Sequence, residues 1–126
     1  MNNITIIGNV GQDPELRYTQ KGLAQVKFSI ATTYNKKDGA KETTWHDCVA
    51  WGEQAEAIAA TAVKGTRMIV IGRYVTSEYT TKQGETKKKN EILVDDSGAS
   101  LRWGEPKETP KFSKPKQASF DEEEAF

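Results

Sequence analysis

The apolar residues of this chain alternate along several segments and change to a helical period once. Residues 3–10 (NITIIGNV) are rich in β-branched side chains and interrupted by Gly8, which predicts a first strand with a bulge or bend at that glycine. Residues 11–14 form a turn, 15–19 a short piece of strand, and Lys21 with Gly22 a second turn. Residues 23–33 alternate, with Val26, Phe28 and Ile30 on one side and Gln25, Lys27 and Ser29 on the other, as in a half-buried strand. A polar loop over 35–41 carries Asp38 and Gly39 at its tip, a hairpin signal, and leads into a strand over 43–51.

The period then changes. Within 52–64, Ala55, Ile58, Ala59, Ala62 and Val63 form one helical stripe. Glu53 and Glu56 suit the positive end of that helix, and Gly65 suits its stop. Residues 66–79 read as a long strand, apolar on both faces from Met68 to Ile71, so another subunit is a candidate cover for one face. A basic loop over 81–89 returns through a strand at 90–94, and 100–103 is a last short extended piece. Three strands, one helix and two strands predict an all-β chain with one helix. That order matches a five-stranded Greek-key OB-fold barrel, although another small β-barrel could share it.

Composition divides the chain. From residue 105 the sequence reads EPKETPKFSKPKQASFDEEEAF, with three of the four prolines and no apolar period. Such a segment cannot bury enough surface to offset its ordering entropy, so it is expected to be a disordered tail. The expected organisation is a domain over 1–104, a linker over 105–120 and an acidic tip over 121–126. The formal charge is zero, 18 bases against 18 acids, but residues 1–120 hold all 18 bases and 14 acids while the last six hold four acids and no base. The neutral sum is thus a basic body cancelled by an acidic end, and does not exclude a polyanionic ligand. No apolar run reaches membrane-spanning length, and no secretory leader is expected. A single cysteine, Cys48, fits a reducing compartment, and with the single histidine, His46, it cannot make an ordinary zinc site.

The candidate chemistry lies on residues 43–51. Alternation puts Trp45, Asp47, Val49 and Trp51 on one face, and His46, Cys48 and Ala50 on the other, which suits a barrel interior. Outward tryptophans call for a cover. Two covers compete: a subunit contact, or unpaired bases, each stacked ring contributing roughly 1–3 kcal/mol whatever the base. Tyr34 leads into the loop with Lys36, Lys37 and Lys41, and Tyr79 into the loop with Lys82, Lys87, Lys88 and Lys89. Aromatics beside cationic loops favour the second cover, because lysines release counterions from phosphates.

An enzyme reading has little support. His46 has no nearby nucleophile, Cys48 no second thiol, and no glycine-rich turn leads a phosphate-binding lysine onto a helix. Asp95 and Asp96 are adjacent on a strand, so they are expected to point to opposite faces. No catalytic residue, metal or cofactor is expected. The acidic end, Asp121, Glu122, Glu123 and Glu124 followed by Ala125 and Phe126, is either a solubilising tail or a peptide ligand. In the second case Phe126 would anchor in an apolar pocket and the acids would steer it.

The stretches GNVGQDPELRYTQKG, TTWHDCVAWGEQAE and KGTRMIVIGRYV, together with the acidic tip, resemble the bacterial single-stranded DNA-binding proteins. The resemblance implies an OB-fold homotetramer that wraps single-stranded DNA without strong sequence preference. It also implies a cytoplasmic, nucleoid-associated location and a tip that recruits replication, recombination and repair proteins. By position, the family's stacking aromatics fall on Tyr34, Trp45, Trp51 and Tyr79. Three depart in type: the family often has tryptophan at Tyr34 and Tyr79, and phenylalanine at Trp51. Basic residues common just before Tyr79 are replaced by Val75, Thr76, Ser77 and Glu78. Arg73, just before that stretch, is expected to contact DNA, and further phosphate contact is expected to move outward to Lys82 and residues 87–89. Isoleucine-proline before the last phenylalanine is replaced by Glu124-Ala125. The piece ending SLRW resembles the start of a subunit-clamping strand in some actinobacterial members, which Pro106 would cut short. The alternative is an OB-fold RNA-binding or primosome-type module.

Overall fold

The computed structural model describes residues 1–105. Its elements are β1 (Ile4–Val10), β2 (Glu15–Tyr18), β3 (Ala24–Asn35), β4 (Lys41–Trp51), α1 (Glu53–Thr61), β5 (Arg67–Thr80) and β6 (Thr86–Ala99). Strand β1 pairs antiparallel with β5 along Ile4 to Asn9 and passes to β3 at Asn9 and Val10. Strand β2 continues along β3 after a slip: Val10 lies opposite Ile30, but Glu15 opposite Lys27, five steps on one side against three on the other. β1 and β2 are therefore two halves of one barrel strand, interrupted by the turn at Gly11 to Pro14. A short parallel pairing of β4 with β6, Cys48 beside Ile92 and Val49 beside Leu93, closes a five-stranded barrel with one helix. This is the expected OB-fold architecture.

The alternating apolar positions become the core. Val26, Ile30, Ala50, Val70 and Ile92 are fully buried, with Cys48 among them, and Ala55 and Ile58 of α1 join the same cluster. Gly8 sits where β1 changes partners; a side chain there would meet the carbonyl oxygen of Ala31, and one at Gly72 would meet that of Leu93. Glycine is what lets the backbones approach so closely.

Four expectations are corrected. The helix ends at Thr61, not at Gly65. The residues beyond it find partners elsewhere: Lys64 N–H donates to Asp13 Oδ1 at 2.8 Å, Gly65 N–H to Val10 O at 2.8 Å, and Val63 N–H to the Thr66 hydroxyl at 3.0 Å. Second, the basic loop expected over 81–89 is strand from Thr86 onward, while the loop expected over 35–41 lies where it was placed. The β3–β4 ladder runs out to Asn35 opposite Lys41, and the β5–β6 ladder to Thr80 opposite Thr86. Lys87, Lys88 and Lys89 thus stand on β6, because ladder hydrogen bonds can hold a polar arm that needs no buried face. Third, 100–103 is a turn rather than a strand, with Gly104 N–H donating to Leu101 O. Fourth, Asp95 and Asp96 do not take opposite faces. The register shifts between Ile71, opposite Asp96, and Gly72, opposite Val94, so Asp95 is the extra residue of a bulge. Both aspartates are exposed and line one groove beside α1.

Ile7 and Ile71 stand on the outer face of the β1–β5 pair, 45% and 43% exposed, so that apolar face is left open by the described residues. No helix among the described residues is long and apolar enough to cross a membrane. The expected tip, and all but the first residue of the expected linker, lie outside the described residues.

Candidate nucleic-acid interface

The outer face of β4 forms one side of a groove of about 600 Å³. Val49 and Trp51 line it with Gln25 and Lys27 of the neighbouring β3. The other side comes from the β5–β6 hairpin: Val75, Ser77, Glu78 and Tyr79 on β5, and Lys89, Glu91 and Leu93 on β6. The strand period explains this set. Odd-numbered residues of β4 face out, and the β5–β6 register sets Val75, Ser77 and Tyr79 opposite Glu91, Lys89 and Lys87. Val49 shares the face of the tryptophans yet is only 5% exposed, because it forms the apolar floor. A smaller recess continues along the same face to Asp47, Ser29, Gln12 and Asp13, sharing Lys27, Lys89 and Glu91 with the groove.

The four expected aromatics do not all converge. Trp51 and Tyr79 line one groove. Trp45 lies farther out on the same face of β4, and its ring covers Gly11, where any side chain would collide with it. Tyr34 is in phase with Ile30 and Thr32, the interior phase of β3, so beyond the barrel it faces the opposite side of the β3–β4 arm from Trp45. Tyr34 and Trp45 are the most exposed of the four, 65% and 60%, and Trp51 the least, 39%.

The cations also differ. Lys37 lies at the β3–β4 tip and Lys41 begins β4; Lys82 lies at the β5–β6 tip and Lys87 and Lys88 lie on β6, all exposed. None of these five forms an ion pair among the described residues, whereas Lys36 lies 3.5 Å from Glu42. Arg73 is held by Asp95 at 3.3 Å and does not line the groove. Lys89 does line it, but its ammonium lies 3.5 Å from Asp47 and 3.7 Å from Glu91.

Three residues escaped the sequence reading, two on this face and one, Tyr74, in the opposite phase of β5. Lys27 lines both groove and recess, and its outward phase was the signal. Gln25 shares that phase and the groove. Tyr74, 43% exposed, lines a shallow pocket with Trp45 and Asn90. Its backbone is fixed by Asn2, whose Oδ1 accepts the Tyr74 N–H at 2.8 Å. Only the fold brings Tyr74 near Trp45.

On the interior face, His46 Nε2 lies 3.0 Å from the Thr32 hydroxyl. Burial, with Asp47 and Glu91 adding to it, pushes the Cys48 thiol up to about 12, which keeps it protonated and poorly nucleophilic near neutrality. Among the described residues no group of three or more histidine, cysteine, aspartate or glutamate side chains could hold a metal ion.

The chain resembles curated relatives over most of its length. It is 43% identical over 112 residues to a single-stranded DNA-binding protein of Paenarthrobacter aurescens, covering 82% of this chain and 64% of that one. It is 39% identical over 110 residues to the protein of that name from Mycobacterium leprae, covering 82% and 66%. With single-stranded DNA-binding protein 2 of Streptomyces coelicolor it shares 37% identity over 113 residues, 84% of this chain and 56% of that one. The matched stretch thus spans just under two thirds of the first two relatives' own length. The model of the single-strand binding protein family matches residues 1–99, the whole of the barrel and its helix, and the chain belongs to that family.

Proposed function

We propose that this protein binds single-stranded DNA largely without sequence preference, stacking bases on aromatic side chains and neutralising phosphates with lysines. The observation that carries the reading is the groove holding both Trp51 and Tyr79 over Val49, Val75 and Leu93, with Lys27 on its wall and Lys87 and Lys88 beside it on β6. An apolar floor with rings and mobile cations suits a flexible strand whose bases are unpaired. It does not suit a duplex, whose bases are already stacked. Trp45 extends the platform, with Tyr74 at its edge, and Tyr34 serves a strand that wraps round the β3–β4 arm. Family membership and the names of the relatives point the same way.

The open apolar face at Ile7, Ile69 and Ile71 supports a homo-oligomer, for which the family resemblance suggests a tetramer. Residues 1–104 act as the DNA-binding domain, 105–120 as a linker, and Asp121, Glu122, Glu123, Glu124, Ala125 and Phe126 as a ligand for replication, recombination and repair proteins. The expected setting is the bacterial cytoplasm, and no catalytic activity is ascribed to the groove.

The test is a titration with an oligothymidylate at low salt, followed by tryptophan fluorescence. Quenching that reverses with salt is expected; no response from either Trp45 or Trp51 defeats the stacking reading. Competition with an RNA oligomer separates this reading from an RNA-binding module, which would prefer the RNA. Removal of residues 121–126 is expected to leave DNA affinity unchanged or raised, since the acids no longer compete for lysines.

A further inference from the structure

We propose that Asp47 and Glu91 act as internal counter-ions to Lys89, so that the floor of the groove rejects phosphate and is left to base edges. The proposal rests on the single-stranded DNA reading and assigns a positioning role within it. Three observations carry it. Asp47 projects from β4 on the face shared by Trp45 and Trp51, and its Oδ2 lies 3.5 Å from Lys89 Nζ. Glu91 Oε2 lies 3.7 Å from the same ammonium. The Glu91 side chain is 12% exposed, and its other oxygen accepts the Ser77 hydroxyl at 3.1 Å. Glu91 therefore cannot swing aside when a phosphate approaches, and the parallel β4–β6 pairing keeps Asp47 beside it.

The electrostatic consequence is specific. One ammonium between two carboxylates makes a triad of net charge −1, with Lys27 on the facing wall and a rim of Lys37 and Lys41 on one arm and Lys82, Lys87 and Lys88 on the other. A phosphate that binds a solvated lysine releases condensed counterions into the salt solution, and that release drives binding. A phosphate that reaches Lys89 must displace a carboxylate already there, so one anion replaces another and the gain is lost. Phosphates are directed to Lys27 on the groove wall and to the rim, and with them the polarity of the strand: backbone outward, bases toward Val49, Trp51 and Tyr79. Lys89, one of three consecutive lysines in the sequence, is thereby separated in role from Lys87 and Lys88.

The experiment compares wild type, Asp47→Asn, and Asp47→Asn combined with Lys89→Ala in salt titrations with an oligothymidylate, read by tryptophan fluorescence. Asp47 is exposed and asparagine has nearly its shape, so the fold is retained, which circular dichroism checks. Glu91 stays fixed by Ser77, so Lys89, released from the exposed carboxylate, turns outward to a phosphate without displacing an anion. The salt slope of Asp47→Asn then steepens by about 0.7, equivalent to roughly eightfold tighter binding at 50 mM salt relative to 1 M. Adding Lys89→Ala abolishes both gains. The proposal is overturned if Asp47→Asn binds like wild type or more weakly, or if its gain survives without Lys89, which would assign it to a general loss of negative charge. Wild type that binds while Asp47→Asn has no effect defeats only this proposal; wild type that fails to bind defeats the DNA reading as well.

Discussion

Trp51, the last residue of β4, and Tyr79, on the outer part of β5, line a single groove although they belong to different hairpins. A base held there touches both rings, so their contributions to binding are coupled. Trp51→Ala and Tyr79→Ala are each expected to weaken oligothymidylate binding by about 1–3 kcal/mol. The double variant is expected to lose less than the two losses added, because residues that share one partner are not independent. A double-mutant cycle measured by fluorescence or calorimetry checks this, and strict additivity would mean that the two rings hold different bases.

Trp45 owes its position to a residue with no side chain. Its ring lies over Gly11, where a Cβ has no room beside it. Gly11→Ala should push the ring from its seat without replacing any proposed DNA-contacting residue. Weaker DNA binding is expected, by up to the roughly 1–3 kcal/mol of one lost stack, with an altered tryptophan emission spectrum in the free protein. Unchanged emission and unchanged affinity together would show that the ring adapts freely.

Period was the strong signal in this sequence, and partnership across strands the weak one. The face of Trp45 and Trp51, the interior place of Cys48 and Ala50, and the helix after Trp51 all follow from a period of two giving way to 3.6. The outer part of the β6 arm was hidden because residues 86–89, TKKK, have the composition of a loop. What makes them strand is a ladder with β5, and no local property records it. The bulge that turns both Asp95 and Asp96 outward was hidden for the same reason, since it exists only as a mismatch between β5 and β6. The meeting of Lys89 with Asp47 needed the β4–β6 closure, and the meeting of Tyr74 with Trp45 needed the closed barrel. Tyr34 shows the converse: its position among aromatics suggested a shared platform, while its even-numbered phase had already assigned it to the other side of the arm.

The lysines differ in their use, and salt separates them. Lys27 lines the groove and forms no ion pair among the described residues, whereas Arg73 is engaged by Asp95 at 3.3 Å outside it. Each phosphate neutralised on a single strand contributes about 0.7 to the slope of log affinity against log salt. Lys27→Ala is expected to lower the slope by about that amount and Arg73→Ala by clearly less. The comparison is made in fluorescence titrations at several salt concentrations. Equal losses would place Arg73 in contact with the strand.

Cys48 links the interior to pH. Its thiol is buried between the Val26–Ile30 core and Ile92, and burial raises it from an ordinary value of 9.0 to about 12. Between those values the unfolded chain has released this proton and the folded chain has kept it. The folded state then binds more protons, so stability falls as pH rises. The contribution is fully present below about pH 9 and is lost progressively toward pH 12, at no more than about 1.4 kcal/mol per pH unit. Cys48→Ala removes the titrating group and leaves a small cavity, at a cost of about 1 kcal/mol near neutrality. Urea unfolding at pH 8 and pH 10.5 is therefore expected to show wild type losing about 2 kcal/mol more than the variant over that interval, so the two stabilities converge or cross. Lysines and tyrosines titrate in both proteins and cancel in the comparison. Parallel pH dependences would mean that the thiol ionises in the folded state as readily as in the unfolded one. The strand that carries both tryptophans would then be opening to solvent in the native protein.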